Sequence, residues 1–201
     1  MQESLPVSLH DRIAQRVRDL RADRGLSLDG LAAHCGISRS MISLIERGES
    51  SPTAVLLEKL ATGLNVTLAS LFEAPPAPAH PLARLADQVS WRDPHSGYVR
   101  KNVSPSGVVG QPDRSPIQIV DVSFPPQARV AYETGAREPL MHQQVWVLEG
   151  RIDITVGSEL HHLATGDCLA LVLNRPVSFY NPTRQPARYA VVIATLPTSA
   201  R

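Results

Sequence analysis

Residues 74–81 read Ala-Pro-Pro-Ala-Pro-Ala-His-Pro, and four prolines in eight positions cannot continue a helix. Such a stretch favours extended polyproline geometry; at about 3.1 Å per residue it makes a semi-rigid spacer on the order of 25 Å long. It also separates two periodicities. Ahead of it, Ile13, Val17, Leu20 and then Leu28 and Leu31 recur at spacings of three and four, the stripe of amphipathic helices. Behind it come short alternating or apolar runs rich in Val and Ile, at 117–124, 145–148, 152–156, 168–173 and 190–194, punctuated by Gly and Pro. The 201 residues are therefore expected to form two domains: an all-α head at 9–73 and an all-β sandwich or barrel at 82–201, with 74–81 as linker. Residues 82–115, with Trp91 and Tyr98, read either as early strands of the second domain or as a strap over a neighbour.

Within the head, Gly36-Ile37-Ser38-Arg39-Ser40-Met41-Ile42-Ser43-Leu44-Ile45-Glu46-Arg47-Gly48 has the form of a DNA-recognition helix. Ser38 supplies an N-cap oxygen, and Gly48 can turn left-handed after the last turn. Ile42 and Ile45 point to one face. Arg39, Ser40 and Ser43 occupy the other, where small or forked donors suit base edges and phosphates. A preceding helix ending near Cys35-Gly36 completes a helix-turn-helix.

From about Ile13 to Phe72 the chain resembles the phage-repressor-type helix-turn-helix family, also called the xenobiotic-response-element (XRE) family. Arg16-Val17-Arg18-Asp19-Leu20-Arg21, then Arg24-Gly25-Leu26-Ser27, resemble its first helix and the entry to its second. Leu31-Ala32 and the Ile42–Gly48 run resemble its second and third helices; Ser51-Pro52-Thr53 with Leu57, Leu60, Ala61, Leu64 and Val66 resemble its fourth and the exit. The resemblance implies a five-helix head. It places Arg39 where a side chain meets a base, guanine O6/N7 being its natural partner, with Ser40, Ser43 and Leu44 also facing the groove. Ser27, Ser38, Arg47, Ser50, Ser51 and Thr53 are expected phosphate contacts, Ser27 and Thr53 reading equally well as N-caps. Leu28 replaces the family's frequent glutamine, so a backbone-to-base brace is not expected. Glu46 reads as a structural partner of Arg18 or Arg21, and Met41 as either groove edge or core.

Charge gives the head no general attraction for nucleic acid: residues 1–75 hold eight Lys/Arg against nine Asp/Glu. Any basic face is local, at Arg39 and Arg47, so single-site binding is expected to be weak and a homodimer on a palindromic operator in double-stranded DNA is the expected partner arrangement. No apolar run approaches the roughly 18 residues of a membrane span. The start, Met1-Gln2-Glu3-Ser4-Leu5-Pro6, lacks the blocks of a secretory signal, and two distant cysteines, Cys35 and Cys168, read as structural thiols; a cytoplasmic protein with no membrane partner is expected.

The second half resembles the cupins, antiparallel jelly-roll barrels. The resemblance rests on 145–150, 152–156, Leu163-Ala164-Thr165-Gly166-Asp167, Asn181-Pro182 and Ala187-Arg188, and spans about 115–195. Cupin enzymes hold a metal through histidines and a glutamate. The glutamate's place falls on Gln143, the paired histidines' near Ala136 to Pro139, and the last histidine's on Val177, so the expected ligands are missing. His142 should point away from the interior if Gln143 points in, and of His161 and His162 one should face inward. No metal, cofactor or catalytic residue is assigned. Gln143, Val145 and Val147 are expected to face inward with Val177 opposite, lining either a filled core or a small-molecule pocket. Tyr132, Gln143 and His161 or His162 are the candidate polar lining groups, and Arg129 or Arg137 a carboxylate grip at the mouth. The expectation is a DNA-binding transcriptional regulator, not an enzyme, whose barrel dimerises and senses a small-molecule effector. A barrel that only dimerises, or a degenerate metal-dependent enzyme fused to a DNA-binding head, is the alternative.

Overall fold

A computed structural model describes residues 8–72, 80–105, 107, 115–133 and 141–195. The linker residues 74–79 and the stretch 134–140, with Arg137 and the places of the absent paired histidines, lie outside the described residues. Two compact units emerge, one from residues up to Pro52 together with Leu56–Pro75, the other from Pro76 onward together with Thr53–Val55.

Four α-helices build the first unit: α1 Leu9–Asp23, α2 Leu28–Cys35, α3 Arg39–Glu46 and α4 Ala54–Gly63. Serines set the first three starts. The Oγ atoms of Ser8, Ser27 and Ser38 accept from the backbone N–H of Asp11, Gly30 and Met41 at 3.1, 3.0 and 3.3 Å. Gly36, at φ +63°, ends α2 in the left-handed region and fixes the tight turn into α3. Ile13, Val17, Leu20, Leu31, Ile42, Ile45, Leu57, Leu60 and Leu64 form the core. The five-helix expectation is corrected among the described residues: four α-helices are followed by a 3₁₀ turn, Leu68–Phe72. Both the carbonyl and the Oγ1 of Thr67 accept from the Ser70 N–H, at 3.0 and 3.1 Å, which winds the segment one residue tighter than an α-turn.

Ten strands build the second unit: β1 Ser90–Arg92, β2 Val99–Asn102, β3 Ile117–Phe124, β4 Arg129–Tyr132, β5 Met141–Glu149, β6 Arg151–Val156, β7 Glu159–Ala164, β8 Cys168–Val172, β9 Val177–Tyr180 and β10 Ala187–Thr195. They sort into a six-stranded sheet, β1-β2-β3-β10-β5-β8, and a four-stranded sheet, β4-β9-β6-β7. Residues 90–92 and 99–102 are thus strands of the larger sheet. No ladder joins the two sheets among the described residues, which corrects the closed barrel to an open two-sheet sandwich. Side chains bridge the sheets instead: Phe179 of the small sheet stacks on Tyr189 of the large one, centroids 5.8 Å apart and planes 6° off parallel.

Alternation decides what faces inward. In β5, Met141, Gln143, Val145 and Val147 are buried while His142, Gln144 and Trp146 are exposed. Asn181, fully buried, donates from Nδ2 to the carbonyls of Pro125 and Gln185, at 3.1 and 2.8 Å, and locks the turn before β10.

Candidate functional site

The third helix carries two chemically different sides. Ile42, Ile45 and Glu46 are buried, whereas Arg39, Ser40 and Arg47 are exposed, with Ser43 and Leu44 half-buried beside them. Helical spacing puts Arg39, Ser43 and Arg47 on one stripe, and Ser40 and Leu44 on its neighbour. The inner side is held by Glu46, whose carboxylate takes two hydrogen bonds from Arg21, Nε to Oε1 at 2.6 Å and Nη2 to Oε2 at 2.8 Å. That hydrogen bond pushes the Arg21 guanidinium pKa up. Arg18 donates to the Glu46 carbonyl, and Arg21 Nη1 to the Leu26 carbonyl at 2.9 Å. Both arginines expected for Glu46 therefore hold the end of α3 against α1.

The outward arginines are not bare charges. Arg39 Nε lies 3.5 Å from Asp29 Oδ2, both side chains well exposed. Arg47 donates twice to Glu49, at 2.8 and 2.8 Å, and also to Ser43 Oγ. Its hydrogen bond holds the Glu49 carboxyl below the usual carboxylate range and lifts the Arg47 guanidinium above its own. Sequence reading missed both acids. The Arg47–Glu49 spacing was visible, but the Asp29–Arg39 contact exists only once α2 and α3 are folded together. Ser38 and Ser27 stand at helix starts as caps, Ser38 Oγ lying 3.2 Å from Ser40 Oγ. Ser50 donates to Met41 Sδ at 3.8 Å, so Met41 is a half-buried packing residue; Ser51 is exposed and Thr53 half-buried on the segment before α4.

Inside the sandwich, Gln143, Val145 and Val177 are buried on the inner faces, Val177 in register with both Tyr132 and Val156. Tyr132 is half-buried, its hydroxyl 3.1 Å from that of Tyr98 and its ring edge-on to Phe179 at 6.1 Å. Arg129 does not join this set. It alternates with buried Val130 and lies exposed on the outer face, over the Tyr180 ring at 4.7 Å. Period-two alternation, which places Tyr132 on one side and Arg129 on the other, is the reason.

The inward-facing arginine is Arg100 of β2, which sequence reading missed. It is buried, and register sets it beside Val122, itself opposite Tyr189. Burial, with Tyr98 nearby, raises the Tyr189 phenol well above its usual range, and Arg100 opposes the shift. Rings run from Tyr98 to Phe124, Tyr189, Phe179 and Tyr132 at centroid distances of 5.7, 6.0, 5.8 and 6.1 Å. This end of the interior is filled by aromatic side chains.

His161 shares the inner row with Ile154, its Nε2 3.9 Å from Glu159, while His162 points out and bonds Asp153 at 2.7 Å. Among the described residues no group of three His, Cys, Asp or Glu side chains is placed to hold a metal ion. An open groove of about 530 Å³ runs along β8 and the turn after it, lined by Ala170, Leu171, Val172, Asn174 and Arg175.

Residues 17–71 match the family model described as Helix-turn-helix. The regulator SutR of Escherichia coli is 48% identical over 69 residues, 34% of this chain and 38% of that one, so this chain spans little more than a third of that relative. The regulator PuuR of Escherichia coli is 27% identical over 186 residues, 92% of this chain and 95% of that one. A solved HTH_3-family transcriptional regulator from Vibrio cholerae superposes with a TM-score of 0.74 and 23% identity over 94% of this chain and 97% of its own, a likeness of fold. No described helix is long and apolar enough to cross a membrane. With its capped α2–turn–α3 unit, the chain belongs to the helix-turn-helix transcriptional regulators of the XRE family.

Proposed function

We propose that this regulator binds a palindromic operator as a homodimer in the cytoplasm, residues 9–73 reading the DNA while residues 82–201 dimerise and sense a small metabolite. The observation that carries the reading is the two-sided α3, with Ile42, Ile45 and Glu46 buried and Arg39, Ser40 and Arg47 turned out. Arg39 reads a base, Ser40, Ser43 and Leu44 line the groove, and Ser27, Ser38, Arg47, Ser50, Ser51 and Thr53 position the backbone. Asp29 and Glu49 compete with phosphate for the two arginines. A single head is accordingly a weak binder, and two heads on one duplex, about 34 Å apart, supply the affinity. Tyr132, Gln143, Val145 and Val177 are the proposed effector contacts. An effector that favours one arrangement of the two heads over another would shift DNA affinity by that difference.

Selection of bound sites from random duplex DNA by the full chain tests this. A two-fold symmetric consensus with half-sites about one helical turn apart supports it; no enrichment over the starting library refutes it.

A further inference from the structure

The two exposed arginines of α3 are held differently. Arg47 is enclosed: its Nε and Nη2 donate to Glu49 and its Nη1 to Ser43. Arg39 is held by one edge. Its Nε lies 3.5 Å from Asp29 Oδ2, and among the described residues no hydrogen bond engages its two Nη groups. Both side chains stand clear of the surface, Arg39 65% and Asp29 78% exposed. Their backbone positions are set by the fold, because each sits in the first turn of a capped helix. Asp29 comes two residues after Ser27 and Arg39 directly after Ser38, with left-handed Gly36 shaping the turn between α2 and α3. An acid in the first turn also suits the macrodipole of α2. That role acts through the stability of α2 alone and gives no reason for the contact with Arg39.

We infer that Asp29 is a positioning residue for Arg39: it holds the guanidinium by its Nε edge and leaves the Nη fork for a guanine. The inference rests on the reading of Arg39 as the base-contacting residue and adds what makes that contact selective. Guanine presents two acceptors, N7 and O6, to the major groove, and two parallel N–H donors match them. Adenine replaces one of those acceptors with the N6–H₂ donor, so the fork no longer fits. An untethered arginine that meets the wrong base swings to a phosphate and recovers much of its binding. One held by a carboxylate has no such escape. Asp29 thereby penalises wrong sequences more than the right one, and selectivity is a difference of affinities of this kind. The charge of Asp29 is itself repelled by phosphates and weakens every complex alike. Its hold on Arg39 acts at one base pair, and this separates the two effects.

The test is a double-mutant cycle in the full chain. Wild type, Asp29→Ala, Arg39→Ala and the double variant are titrated against the selected operator, a set of its single-base-pair variants and a random duplex, over a salt series. At the base pair where Arg39→Ala loses selectivity, Asp29→Ala should lower the discrimination about fivefold, the upper end of what a surface ion pair contributes. On the random duplex it should steepen the plot of log affinity against log salt by about one, as Arg39 reaches a phosphate. Both effects should vanish where Arg39 is already alanine. Damage to α2 reads differently: it lowers the melting of the head at 222 nm and changes affinity for every duplex by one factor. An Asp29→Ala variant that keeps the wild-type discrimination overturns the positioning role and leaves Arg39 as the base reader. An Arg39→Ala loss that is the same on every sequence overturns both.

Discussion

Replacing Glu46 by Gln removes the charge from the pair that ties the recognition helix to α1 while keeping the side chain's volume. In the folded head the Glu46 side chain is 7% exposed and Arg21 19%, and the carboxylate takes both hydrogen bonds from one guanidinium. Breaking one partner of a fully buried ion pair costs about 3–5 kcal/mol. Arg21 keeps some access to water and its bond to the Leu26 carbonyl, so a cost below that range, about 2–3 kcal/mol, is expected here. For a head of this size each kcal/mol moves the melting temperature by about 4–8 °C, which gives a fall of about 10–20 °C. Calorimetry of the full chain reads it, with the helical transition followed at 222 nm and the β-domain transition as internal control. An Arg21→Met/Glu46→Met double variant should recover most of the loss, since an apolar pair of similar volume needs no desolvation of charge. The reasoning is refuted if Glu46→Gln shifts the helical transition by less than a few degrees, or if the double variant is as damaged as the single one.

Gly63→Ala should destabilise the head in spite of alanine's better helix propensity. The added Cβ would stand 2.7 Å from the Cys35 Cβ and 3.2 Å from its Cα, an overpacking cost of about 1–3 kcal/mol; a raised melting temperature would contradict this. The buried Tyr189 phenol, its pKa raised by burial, stays protonated when folded and ionises when unfolded. Its stabilising contribution is complete below its unfolded pKa, near 10, and is lost as pH rises towards the folded value, by up to about 1.4 kcal/mol per pH unit. Urea midpoints between pH 9 and 11 should therefore fall less steeply for Tyr189→Phe than for the wild type, and parallel curves would refute the assignment. Glu49→Gln should release Arg47 for phosphate, tightening DNA binding at low salt and steepening the plot of log affinity against log salt by about one; an unchanged slope would show that Arg47 does not reach the backbone.

Local chemistry was legible where it is written in consecutive residues. Ser27 and Ser38 cap the helices expected of them, Gly36 turns left-handed, and Glu46 meets both arginines named for it. That Gln143, Val145 and Val147 share one face follows from alternation. What depends on long-range pairing was not legible. Alternation gives a strand two faces without saying which turns inward, and Arg129 and Tyr132 both stood as lining candidates although they lie on opposite faces of β4. Arg100 sits in Val-Arg-Lys-Asn, a string that reads as solvated; only its pairing through Val122 towards Tyr189 puts it inside. The open sandwich depends on which strands pair.

The central claim is that α3 reads sequence through Arg39. Its most direct test is to measure the affinity of the full chain and of Arg39→Ala for the selected operator and for a set of its single-base-pair variants. The account predicts a loss of about 1–3 kcal/mol on the operator that vanishes when one particular base pair, expected to be G·C, is already changed. An equal loss on every sequence would mean that Arg39 touches phosphate alone, and would contradict the account.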